Sequence, residues 1–367
     1  MADPAPEAFA GSGDVRDGRR SLADRFRRHA DSLERSRRSP LYVEIMRGAA
    51  RDIDSKGTTT QLFNGVPVPP GSVPALRLLA ALHHLVLSGR APQLATFYPS
   101  VGGDDPPEGV WPVALATLED HADWVTDRLG RTVQTNDPGR ACVLYAALLW
   151  LTDRYGLPIR LLELGASAGL NLHPDRFAYL VGGVWLGDTT STVRLIEPWE
   201  RTPEIDLAEA ARNLRIVERG GCDLAPLDPA EPDDRLTLLS YIWPDESERL
   251  ARTEAAIDLV AQHPGRVQAE PAGQWVAPRL QAASDTELTV IWHSLFRQYL
   301  VCEEWQALEA SYDAAAGGMG APPVVWLSME PGQDHIRDVE LTLRGPGSAP
   351  ERRLARCGDH GPPLSWE

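Results

Sequence analysis

Ile159-Arg-Leu-Leu-Glu-Leu-Gly-Ala-Ser-Ala-Gly169 joins a short apolar run to a string of small residues. Pro158 and Gly165 bound the run Ile159 to Leu164, whose length and composition predict a buried parallel strand. The turn that follows, Glu163-x-Gly165-x-Ser167-x-Gly169, predicts a sharp passage from strand to helix in which small side chains let a ligand approach the backbone. Two rival readings fail on the residues. A dinucleotide loop needs Gly-x-Gly-x-x-Gly, but Ser167 fills the second glycine position and Leu170 the third. A phosphate-binding Gly-x-x-x-x-Gly-Lys-Ser/Thr loop needs a lysine, and Lys56 is the only lysine in the chain.

An acid near the strand end followed by small residues resembles the first motif of class I S-adenosylmethionine-dependent methyltransferases, with Ser167 in place of the middle glycine. Around it, strand candidates at 215–222, 266–269, 288–292, 324–327 and 339–343 alternate with helical stretches, which argues for an α/β sheet. Tyr179–Leu186 and Thr190–Ile196 alternate like a β-hairpin inserted at about 176–214. Helical spacing recurs at Leu22, Phe26, Ala30 and Leu33, at Leu41, Ile45 and Ala49, and over Val73–Leu87, Val113–Leu129, Ala141–Tyr155 and Asp245–Gln262. The expected organisation is a disordered leader over 1–20, an N-terminal helical domain over 21–136, and a Rossmann-like, mostly parallel sheet domain of the methyltransferase type over 137–367. The substrate is expected between the two domains.

Composition narrows the function. The 367 residues carry 43% hydrophobic and 24% charged side chains, an ordinary globular balance. A formal net charge of −16 would repel a phosphate backbone, and the arginines between Arg16 and Arg38 alternate with Asp17, Asp24, Asp31 and Glu34, so no nucleic-acid partner is expected. No uncharged apolar run reaches the roughly 18 residues of a membrane span. The four cysteines are far apart and form no Cys-x-x-Cys pair, which fits reduced thiols in the cytoplasm. Cys357-Gly-Asp-His360 has half the spacing of a zinc site and no second pair, so no metal is expected.

The whole chain, from Arg25 to Trp366, resembles the bacterial domain of unknown function 2332 family. Carrying the resemblance are Ser39-Pro-Leu-Tyr42, Phe97-Tyr-Pro-Ser100, Gln134-Thr-Asn136, Gly139-Arg140, Leu162 to Asn171, Trp243-Pro-Asp245, Cys357 and His360-Gly361. It strengthens the fold and leaves the reaction open.

On the methyltransferase resemblance, S-adenosylmethionine is the expected cofactor. Glu163, Gly165, Ala166, Ser167, Gly169 and Asn171 form its loop, with Glu163 organising the methionine end. Asp223 would accept hydrogen bonds from the ribose hydroxyls, and Glu270 would lie near the adenine, where Pro271 removes a backbone donor. His293 ends the run Val290-Ile-Trp-His at a strand's carboxyl edge and is the candidate general base. Tyr98, Ser100, Asn136, Arg140, Trp243 and Asp245 are candidate substrate residues, Arg140 because a guanidinium grips a carboxylate in bidentate fashion. The expected activity is methyl transfer to a small molecule; the alternative is a regulatory protein that binds the cofactor without chemistry.

Overall fold

The computed structural model describes residues 21–69, 72–263, 266–318, 320–332, 339–347 and 350–367; the leader expected over 1–20 lies outside them. The chain is mixed α/β, with a large, mostly parallel sheet and many helices, and it divides into two compact units.

Within the described residues, one unit comprises 21–135 and 231–254. It is helical, built on Leu22–Arg35, Pro40–Asp54 and Pro74–Leu87. Ser21 caps the first helix by accepting the Asp24 N–H, and Phe26, Ala30 and Leu33 form its buried stripe. The single helix expected over Val113–Leu129 is two, Val110–Asp120 and Ala122–Leu129, meeting at His121, where φ −120° and ψ 24° leave the helical region. The segment 231–254, expected in the sheet domain, belongs to the helical unit. Its helix Pro232–Ser240 packs on Pro74–Leu87, where His83 Nδ1–H donates to the Ser240 carbonyl at 3.2 Å.

The other unit, 136–230 with 255–367, holds the sheets. Its strands are β1 (Ile159–Leu164), β2 (Ala178–Val181), β3 (Val184–Gly187), β4 (Arg194–Ile196), β5 (Trp199–Arg201) and β6 (Ile216–Asp223). They continue with β7 (Arg266–Ala269), β8 (Leu288–Ser294), β9 (Val324–Pro331), β10 (Val339–Arg344), β11 (Arg352–Gly358) and β12 (Gly361–Trp366). The large sheet runs β5-β12-β11-β10-β9-β8-β1-β6-β7. From β7 to β9 all pairings are parallel; from β9 to β12 they are antiparallel. β1 is buried at all six positions, which explains its unbroken apolar reading around Arg160 and Glu163.

The pleat sends Leu162, Ile291 and Trp326 to one face, where they pack with Trp275, Val276, Leu308 and Tyr312 from the helices Ala272–Gln281 and Cys302–Ala316. Each such side chain contributes about 1.5–3 kcal/mol by burial. The helix Ala141–Tyr155 is buried on nearly every side; Tyr145 stacks on Tyr179 at 4.3 Å, and its Cys142 carbonyl accepts the Trp199 indole N–H.

The inserted hairpin is β2 with β3, not Tyr179–Leu186 with Thr190–Ile196. Gly182 and Gly183 turn it with φ +55° and +80°, the positive pair that a tight hairpin requires, and β4 then pairs parallel to β2.

Candidate functional site at the carboxyl edge of β1 and β8

In chain order, the five parallel strands lie 3-2-1-4-5, so the connections from β1 and to β8 diverge on opposite sides of the sheet. In open α/β sheets, ligands bind beyond the carboxyl ends of the strands at a switch point of this kind. Glu163 and Trp292 are register partners there, on the face opposite Leu162 and Ile291.

A buried polar cluster gathers on that face. Glu163 is 2% exposed and its Oε2 has no hydrogen-bond partner. Burial pushes its carboxyl up to about 8, against the opposing pull of the Arg140 guanidinium. Arg140 is itself buried; its Nε–H donates to the Asp359 carbonyl at 3.0 Å and its Nη1–H to Ser294 Oγ at 3.4 Å. Asp137, fully buried, accepts the Gly139 N–H at 2.8 Å through Oδ1, while Oδ2 lies 3.1 Å from His360 Nδ1.

Two glycines make this cluster possible. A Cβ on Gly139 would lie 2.3 Å from the His360 carbonyl oxygen, and one on Gly361, at φ +98°, 2.2 Å from the Gly139 oxygen. The turn 137–140 and the turn between β11 and β12 therefore interlock through bare backbone. In the sequence His360 is marked only by half the spacing of a zinc site and by its place among the family-resembling residues, and Asp359 and Ser294 carry no signal of their own.

The loop after β1 is closed on itself. Ala166 N–H donates to the Cys222 carbonyl at 2.9 Å, Ser167 N–H to Asp223 Oδ2 at 2.9 Å, Gly169 N–H to the Ala166 carbonyl at 2.7 Å, and Leu170 N–H to Asn136 Oδ1 at 3.0 Å. The helix expected after this turn is not there. With Gly169 left-handed and Leu170 N–H held by Asn136, the chain makes short 3-10 turns at Leu170–Leu172 and Pro174–Arg176 and enters β2. The small residues also serve packing: Cβ atoms on Gly165 and Gly169 would meet Phe296 at 2.5 Å and Val267 at 3.0 Å. Ser167 holds φ +52°, a conformation costly for a side chain and supported by the Asp223 bond.

Asp223 Oδ1 accepts the Ala225 N–H at 3.0 Å, and the Asp223 carbonyl accepts the Glu270 N–H at 3.1 Å, which brings these two acids together at the ends of β6 and β7. Asn171 is 1% exposed with neither amide atom partnered.

His293 lies on the other face. Two residues beyond Ile291, it is 0% exposed and ringed by Phe296, Trp305 and Trp326. Its Nδ1 is 2.9 Å from Glu330 Oε1, an oxygen that also accepts the N–H groups of Phe296 and Arg297. The expected base thus anchors the 295–300 segment and does not join Glu163.

The remaining candidates belong to the helical unit. Ser100 Oγ–H donates to His83 Nε2 at 2.8 Å, and burial lowers His83 to about 4, so the ring is neutral. Tyr98 is fully buried beside His83 and Tyr42, and Trp243 lies under the Arg38 guanidinium at 4.5 Å. Asp245 lines a cleft of about 200 Å³ with Leu41, Phe97, Pro99, Asp104 and Asp105. Tyr98, Ser100, Trp243 and Asp245 thus group in one unit, and Asn136 and Arg140 in the other.

Parallel strands ordered 3-2-1-4-5, with a buried polar cluster at their switch point, define a mixed α/β protein with a large, mostly parallel sheet. The chain matches the family of uncharacterized proteins conserved in bacteria, DUF2332, over residues 23–366, and belongs to it. Neither the curated proteins nor the solved structures compared with it give a match. Among the described residues no helix is long and apolar enough to cross a membrane.

Proposed function

We propose that this protein is an S-adenosylmethionine-dependent methyltransferase of the Rossmann-like type, acting on a small molecule. One observation carries the reading: in a 3-2-1-4-5 parallel sheet followed by antiparallel strands, Glu163 lies near the end of β1 and Asp223 at the end of β6, flanking the loop Gly165–Gly169. The donor set fits the group. Glu163 offers a buried carboxyl oxygen with no partner, placed to accept from an ammonium, and the Asp223 oxygens retain acceptor capacity for hydroxyls. The cofactor would supply an electrophilic methyl group. The chain's own part is to hold an acceptor in line, which is worth about 7–11 kcal/mol at best.

A non-catalytic cofactor-binding protein is the second reading, favoured by the enclosure of His293 and by loop N–H groups already bonded within the fold. Incubating the full chain with methyl-labelled S-adenosylmethionine and fractionated bacterial metabolites separates the two. Label appearing in a small-molecule fraction supports transfer; cofactor binding without transfer in every fraction supports the second reading.

A further inference from the structure

The segment 295–300 leaves the end of β8 and turns back over the loop after β1. Leu295 makes the turn at φ +49°, Glu330 accepts the N–H groups of Phe296 and Arg297, and the Phe296 ring lies against Gly165. This pinned segment carries Tyr299 at the end of its 3-10 turn. Of the eight tyrosines in the chain, Tyr299 is exposed at 46%, Tyr155 is half-buried and the other six are buried. No hydrogen bond holds the Tyr299 hydroxyl among the described residues. Burial nevertheless raises its pKa, against the opposing pull of the Arg140 guanidinium. A side chain open to solvent whose hydroxyl is surrounded by protein stands at the rim of a recess. The same guanidinium acts on Glu163 and donates to Ser294 Oγ, one residue before Leu295, so Arg140 is near both Glu163 and Tyr299.

We infer that Tyr299 binds the amino-acid end of the ligand, its O–H donating to the carboxylate of an S-adenosyl amino acid whose ammonium meets Glu163; this rests on the proposed methyltransferase reading. The two residues suit the two halves of a zwitterion. Glu163 Oε2, unpartnered, accepts from the ammonium. Tyr299 offers a neutral donor that keeps its proton, and the positive charge of Arg140 favours an anion beside it. The anchoring of 295–300 by His293 and Glu330 then acquires a use: it fixes the backbone from which Tyr299 projects. The contact is reachable from solvent, and it leaves the hydrogen bonds within the fold intact.

Calorimetric titration of the full chain with S-adenosylhomocysteine, and with methylthioadenosine, which lacks the amino-acid end, tests this. Tyr299→Phe removes one unpartnered oxygen from an exposed residue, so the thermal midpoint should stay within about 2 °C. S-adenosylhomocysteine should bind Tyr299→Phe about tenfold more weakly, and methylthioadenosine within about twofold of the unaltered chain. Tetranitromethane labelling read by peptide mass spectrometry gives a second measurement on the unaltered chain, with the half-buried Tyr155 as reference. S-adenosylhomocysteine at about ten times its Kd should slow nitration of Tyr299 about tenfold and leave Tyr155 unchanged. Unchanged affinity in Tyr299→Phe, an equal loss for both ligands, or nitration of Tyr299 untouched by bound S-adenosylhomocysteine overturns the inference and leaves the cofactor reading standing. No binding of S-adenosylhomocysteine removes the cofactor reading and the inference with it. Should Tyr299→Phe not fold, protection from nitration in the unaltered chain decides.

Discussion

The ring of Phe296 fills the space that a side chain on Gly165 would need, its Cδ2 2.5 Å from the ideal Cβ position. Gly165 also holds φ +68°, so any substitution meets both a clash and a left-handed backbone. Gly165→Ala should cost about 1–3 kcal/mol in urea unfolding. In a Phe296→Ala background it should cost measurably less, because only the backbone term remains. Equal costs in both backgrounds would show that Phe296 does not press on this position.

Asp223 supports the loop through two backbone bonds, from Ser167 and Ala225. Asp223→Ala leaves both N–H groups without their acceptor and should destabilise the protein by about 1–3 kcal/mol. Chemical denaturation checks the loss, and faster amide exchange at Ser167 locates it.

Stability against pH should rise and then fall. Burial holds His29, His83 and His173 near 3, 4 and 3, below the ordinary 6.5, so their neutral forms stabilise the fold above 6.5 and that stability is lost as pH drops. Glu163 works the other way. Its carboxyl is raised from 4.5 to about 8, so its contribution is full below 4.5 and is lost as pH rises through 8. Between 6.5 and 8 the Glu163 effect stands alone among these four, with a limiting slope of about 1.4 kcal/mol per pH unit. Glu163→Gln should flatten the curve in that window, and an unchanged slope would mean that Glu163 titrates normally.

Much of the parallel sheet was legible because buried strands leave a local record: Ile159 to Leu164 and Leu288 to Trp292 read as strands and are strands. Strands β11 and β12 were not, because Pro362 and Pro363 mimic a loop and their pairing is with residues brought in by the chain's return. The Asp137 and His360 pair spans 223 positions, and no local pattern encodes such a contact. For His293 the position was legible but not the face: with a side-chain period of two, one residue decides whether a strand-end histidine joins Glu163 or the tryptophans opposite.

His293 and Glu330 together hold the 295–300 segment. Glu330→Ala removes the acceptor for two backbone N–H groups and should cost about 1–3 kcal/mol, with a change in tryptophan fluorescence from Trp305 and Trp326 beside His293. His293→Asn should alter the same fluorescence while leaving affinity for S-adenosylhomocysteine within about threefold, since the ring faces away from Glu163. A tenfold or larger loss of affinity would place His293 in the ligand site.

Calorimetric titration of S-adenosylhomocysteine into the full chain tests the central claim most directly. One site per chain is predicted, and Glu163→Gln should weaken it about 10–100-fold, the worth of a hydrogen bond to a charged group at about 1.5–3 kcal/mol. No binding by the folded protein at millimolar ligand, or an affinity untouched by Glu163→Gln, would contradict it.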